Sequence, residues 1–132
     1  MLQIMGDVPA HVVGVRAVGK VTEEDYKQSL VPALETASKE FGEINFLMIF
    51  ETDLGNFSYG AWMQDAKVSL KHFAKWNKIA IVSDQKIVER LAHVFNFISP
   101  ADAKGFPVSD IELAKNWVAA PAKSAASTQG TK

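Results

Sequence analysis

Apolar residues gather in two short dense runs, "INFLMIF" at 44–50 and "NKIAIVS" at 77–83, and in longer stretches where they recur every three or four positions. A run that is apolar on both faces marks a strand covered on both sides, and the three-to-four spacing marks a helix. The first helix enters through Thr22, an N-cap with Asp25 three residues on and Glu23 and Glu24 in the first turn. Tyr26, Leu30, Ala33, Leu34, Ala37 and Phe41 repeat at helical spacing, and Gly42 ends the helix. Pro32 inside it predicts a kink. Further helices are expected at Tyr59–Phe73, Gln85–Ile98 and, capped by Ser109, up to Ala119. Leu2–Met5 and His11–Val18 flank a Gly6-Asp7-Pro9 turn and read as a hairpin. Ala103–Val108 reads as a short edge strand, weakened by Pro107.

The resulting order, ββαβαβαβα, implies an α/β fold. Its sheet is mainly parallel, with right-handed crossovers, an antiparallel N-terminal edge strand and helices packed on the sheet. Residues 1–120 read as one domain, and 121–132, small and polar, as a flexible tail.

Composition narrows the chemistry. The net charge is −1 with basic residues scattered singly, which argues against a nucleic-acid surface. The absence of cysteine excludes disulfides, thiolate metal sites and cysteine nucleophiles. The first residues lack a basic, then apolar, leader pattern, and no apolar run approaches the roughly 20 residues that span a bilayer. The default expectation is a cytoplasmic protein.

"HVVGVRAVGKVTEEDY", "INFLMIF" and "DAKVSLKHFAKWNKIAIVSD", taken in that order, resemble the SpoIIAA-like family of small bacterial proteins, related in fold to STAS domains. The resemblance spans about residues 2–119. It implies the fold, and an activity that is mostly not established among members. STAS anti-sigma-factor antagonists are switched by phosphorylation of a serine in an Asp-Ser-Ser-Gly-type turn after the central strand. The matching turn here reads Asp53-Leu54-Gly55-Asn56-Phe57-Ser58-Tyr59-Gly60; it is longer, lacks the Asp-Ser pair, and holds Ser58 as its one serine. The layered shape is also similar to the CRAL-TRIO lipid-transfer fold.

Ligands in open α/β sheets sit beyond the carboxyl ends of the strands. Two loops leave such ends, at Glu51–Gly60 and Asp84–Lys86, and three readings compete for that place. In the first, Ser58 is a phosphosite, against the plainer reading that it caps the next helix. In the second, titratable groups catalyse. Asp53, Asp65, His72, Asp84 and His93 are the candidates, yet no paired acid–base, Ser/His/Asp, metal-binding or glycine-rich phosphate motif appears. Asp84 reads more simply as the cap of the helix at Gln85.

The third reading is a non-enzymatic binding protein with no cofactor. Phe57, Tyr59, Trp62, Phe73 and Trp76 on one segment, with Phe95 and Phe97 on the next, would wall an apolar cleft between the second and third helices. Lys71, His72 and Lys75 would meet an anionic group of an amphipathic or lipid-like small molecule. The same surface could serve peripheral contact at the inner face of the membrane, or homodimer contact, and ordinary core packing competes with all of these. The alternative function is a STAS-type regulatory protein-interaction module gated at Ser58.

Overall fold

The structure, a computed structural model, describes residues 1–71, 73–85 and 102–120, without the side chains of residues 54, 62, 65, 66, 68–70 and 73. The described residues form five strands, β1 Leu2–Ile4, β2 Val12–Ala17, β3 Ile44–Phe50, β4 Trp76–Val82 and β5 Asp102–Phe106. They lie side by side in chain order. β1 pairs antiparallel with β2, and every other pairing is parallel. The α/β class and mainly parallel sheet implied by the alternation of elements are what the structure has.

Thr22 and Asp25 form the expected capping box, each side chain accepting from the other's backbone N–H. The helix below it is α1 Glu23–Asp25, a π turn Tyr26–Leu30, and α2 Val31–Phe41. The kink expected at Pro32 takes this form because proline has no N–H to offer the carbonyl four residues back. The ladder widens instead, and the Val31 N–H donates to the Tyr26 carbonyl. Gly42 then closes α2 in the left-handed conformation, φ 73°, that a residue with a Cβ adopts at a cost.

Alternation along β3 sorts its side chains between two cores. Ile44 and Met48 face a cluster with Val15, Leu34, Ala61 and Ile81, under α2 and α3 Tyr59–Lys71. Leu47 and Ile49 face the other side, where Ala80, Val82 and Phe106 meet Ala114 and Val118 of α4 Ile111–Ala119. Right-handed crossovers between successive neighbouring strands send α2 and α3 to one face. The last helix makes no crossover, so it is free to close the other face.

β5 stops at Phe106, before Pro107, rather than at Val108. Ser109 lies inside a 3-10 turn, Val108–Asp110, so it does not cap α4; Asp110 holds that position, without a side-chain hydrogen bond. The helix expected over Gln85–Ile98 falls almost wholly outside the described residues, as does the tail 121–132. Among the described residues, no helix is long and apolar enough to cross a membrane.

Candidate functional site at the carboxyl ends of the strands

The loop after β3 is built by local hydrogen bonds. The Asn56 amide donates to the Thr52 hydroxyl at 2.6 Å, and the Asn56 N–H donates to the Asp53 carbonyl at 2.9 Å. The result is a short 3-10 turn, Leu54–Asn56. Beyond it the chain borrows a strand-like bridge from the segment before α1. Val21 N–H donates to the Asn56 carbonyl, and Ser58 N–H donates to the Val21 carbonyl, pairing Val21 with Phe57. That bridge turns Phe57 inward, onto Phe50 at 5.7 Å between ring centres. Ser58 follows with its hydroxyl accepting the Ala61 N–H at 3.0 Å, so it caps α3.

The loop after β4 sits beside this one. The Ser83 hydroxyl accepts the Gln85 N–H at 3.0 Å, and the Gln85 amide reaches across to the Thr52 carbonyl at 3.1 Å. Asp84 is fixed from a third direction, its carboxylate accepting the Val108 N–H at 3.0 Å. It therefore ties β4 to the β5–α4 junction, a contact 24 residues away; the helix that the sequence expects it to cap lies outside the described residues. Together these loops border an open cleft of about 430 Å³, lined by Glu51, Asp53, Asn56, Asp84 and Gln85 among others. Glu51 is ion-paired to Arg16 of β2.

The described lining of this cleft is acidic and rich in hydrogen-bond acceptors, with Phe50 as its one aromatic ring. Such a surface can take up donors from a partner. Asp53 and Asp84 share the cleft, but the described lining contains no histidine or lysine to complete an acid–base pair. Among the described residues, no cluster of three potential metal ligands occurs.

Of the residues expected to wall an apolar cleft, Phe57, Tyr59 and Trp76 have described side chains. Phe57 and Trp76 are core residues, 6% and 8% exposed. Trp76 packs edge-on against Phe46 with ring centres 5.8 Å apart. It faces that core because β4 carries one extra residue: Ile44 pairs with Trp76 and Asn45 with Lys78, leaving Asn77 as a bulge. Tyr59 instead projects outward, 80% exposed. Lys71 is exposed and paired with Glu35 at 2.5 Å, and Lys75 is exposed. The side chains of Trp62, Asp65 and Phe73, and the whole of His72, His93, Phe95 and Phe97, lie outside the described residues.

Two features have little sequence signal. Met63 is 43% exposed, one turn beyond Tyr59. An apolar groove of about 400 Å³, bordered by Ile4, Val13, Pro32 and Phe41, runs between β1–β2 and α2. The exposed Ile4 and Phe41 at either side are its only trace in the pattern.

At the start of α3, Glu23 lies against Gly60 and accepts from the Gln64 amide at 3.4 Å. The hydrogen bond from Lys27, and then its charge, hold the Glu23 carboxyl below its ordinary pKa.

Among the described residues, a mainly parallel five-stranded sheet carries α2 and α3 on one face and α4 on the other, a layered α/β arrangement. The chain belongs to the SpoIIAA-like family, whose model matches residues 12–119. It is similar to the crystal structure of an uncharacterized protein of the DUF3478 family with a SpoIIAA-like fold from Shewanella loihica PV-4. The two are 28% identical, with a TM-score of 0.66 over 89% of this chain and 90% of that one. Among curated proteins none matches this chain. A SpoIIAA-like fold points to a non-enzymatic regulatory module.

Proposed function

We propose that this protein is a regulatory protein-interaction module. It engages its partner at the rim formed by the β3–α3 loop, the acidic cleft and the first turns of α3. The observation that carries the reading is Tyr59: it stands 80% exposed directly after the Ser58 cap, while its aromatic neighbour Phe57 is buried. A large exposed aromatic held on a rigid, capped helix is the kind of side chain that anchors a protein interface. The amphipathic-ligand reading gives way because Phe57 and Trp76, two of its apolar walls, serve the core instead.

Photo-crosslinking in the protein's own host tests the proposal. A photoreactive benzoylphenylalanine replaces Tyr59 in one variant and Leu113 in another; Leu113 is an exposed position on α4, across the sheet. A discrete protein adduct is expected with the Tyr59 variant alone. Equal adducts from both positions, or none from Tyr59, would discard the rim.

A further inference from the structure

Tyr59, Met63, Lys67 and Lys71 follow one another at four-residue intervals along α3, and all four are exposed. Two apolar positions lie nearest the rim and two ammonium groups lie further along the same row. Residues four apart form a continuous ridge on a helix, inclined by about 26° to its axis. Over three steps the row climbs about 18 Å and turns about 120° around the helix.

That turn bears on what can cover the row. A lipid surface is flat on this scale, and side chains about 120° apart around a helix do not meet one plane together. A second helix crossing at about 50° interlocks its own four-residue ridge with the part of the row at the crossing, and its long side chains reach the rest. Its charge must complement the row: small or apolar side chains opposite Tyr59 and Met63, carboxylates opposite Lys67 and Lys71. The two lysines already attract acids within this chain. Lys71 pairs with Glu35 at 2.5 Å, and the charge of Lys67 helps to lower the Glu23 pKa. The Lys71–Glu35 pair is solvent-exposed and therefore weak, so it is readily exchanged for a partner's carboxylate.

Building on the interaction-module reading, we infer that the partner docks an acidic amphipathic helix onto the Tyr59–Met63–Lys67–Lys71 ridge of α3. Apolar contact at the rim would supply the anchor, and the lysines would set direction and register.

The Tyr59 photo-crosslinker tests this when combined with Lys67→Glu/Lys71→Glu, and separately with Lys67→Arg/Lys71→Arg. The charge-reversed protein is expected to lose about tenfold in adduct yield, and the arginine version to keep it. The crosslinked partner peptide should carry acids at four-residue spacing. Thermal melts that match the parent exclude misfolding as the cause. An unchanged yield on charge reversal, or a basic partner peptide, overturns the acidic helix while leaving the rim in place. A lipid adduct instead of a protein one overturns it in favour of a membrane surface. No adduct at Tyr59 in the parent protein removes both readings.

Discussion

Lys78 points its ammonium into the second face of the sheet and donates to the carbonyls of Trp117, at 3.0 Å, and Ala120, at 3.2 Å. The same ammonium lies 5.1 Å from the centre of the Trp117 ring. It thereby satisfies the last carbonyls of α4, where a helix concentrates partial negative charge. His11, from the β1–β2 turn, meets the Ala119 carbonyl alongside at 2.9 Å. A charge inside an apolar face is tolerated because it terminates the helix that covers that face.

Lys78→Met should therefore destabilise the protein although it removes a buried charge. The replacement fits the apolar surroundings but leaves the α4 carbonyls without their donor, a loss of roughly 1–3 kcal/mol. Urea titration would show it as a lower midpoint, and hydrogen exchange should quicken first at the Ala120 N–H, which closes α4 onto Asn116. An unaltered midpoint would mean that Lys78 is not what secures the helix.

Ser58→Ala should cost about 1 kcal/mol, the usual worth of an N-cap, whereas Ser58→Asp should stay near the parent because aspartate caps equally well. Chemical denaturation of both variants separates the cap from a pure switch. If the alanine variant is as stable as the parent, the hydroxyl's bond to the Ala61 N–H contributes nothing.

Gly60→Ala should lower stability despite the better helix propensity of alanine. An added Cβ would lie 2.8 Å from Glu23 Oε1 and 3.0 Å from Glu23 Cβ. The oxygen can swing away, but the Cβ is tied to the α1 backbone, so the two helices must part slightly. Crowding of this kind costs roughly 1–3 kcal/mol, more than the ~1 kcal/mol gained from propensity. In a double-mutant cycle, Glu23→Ala should recover part of the loss by removing the oxygen contact.

Stability should fall off at both ends of the pH scale. Asp7 is held below its ordinary 3.8 by the hydrogen bond from Lys115 and by its own backbone N–H. At Asp25 burial acts to raise the pKa, but the Thr22 backbone N–H and hydroxyl outweigh it, and the net shift is downward. A carboxyl with a lowered folded pKa stabilises the fold above its unfolded value and loses that contribution as the pH drops through the folded one. Lys115 is raised above its ordinary 10.5, chiefly by Asp7, so its contribution is present below that value and lost as the pH climbs through the raised one. Urea midpoints measured across the pH range should form a plateau with an acid and an alkaline limb. Asp7→Asn should shallow both, and an unchanged pair of limbs would contradict the Asp7–Lys115 coupling.

Strand β3 is legible in the sequence because six of its seven residues are apolar and fall on both faces, the pattern of a doubly covered strand. The capping box at Thr22 and the stop at Gly42 are legible for the same reason: the residues that make them lie within a few positions of one another. Trp76 is different. Its inward orientation depends on the bulge at Asn77, which is set by pairing with β3. Phe57 depends on a bridge to Val21, 36 residues earlier. Asp84 looks like a cap when read with Gln85, and its bond to the Val108 N–H depends on a segment 24 residues further on. Local chemistry names the elements; which rings face outward is decided by partners distant along the chain.

Because the five strands lie in the order in which they are synthesised, each new one finds its neighbour already present. A nascent chain leaving the ribosome can extend this sheet from one edge to the other without reserving a gap for a later insertion. The exception is the second face, whose greasy surface waits for residues 111–119, which follow all five strands along the chain. During that interval the incomplete protein is at its most adhesive, and a chaperone would have the most reason to hold it there.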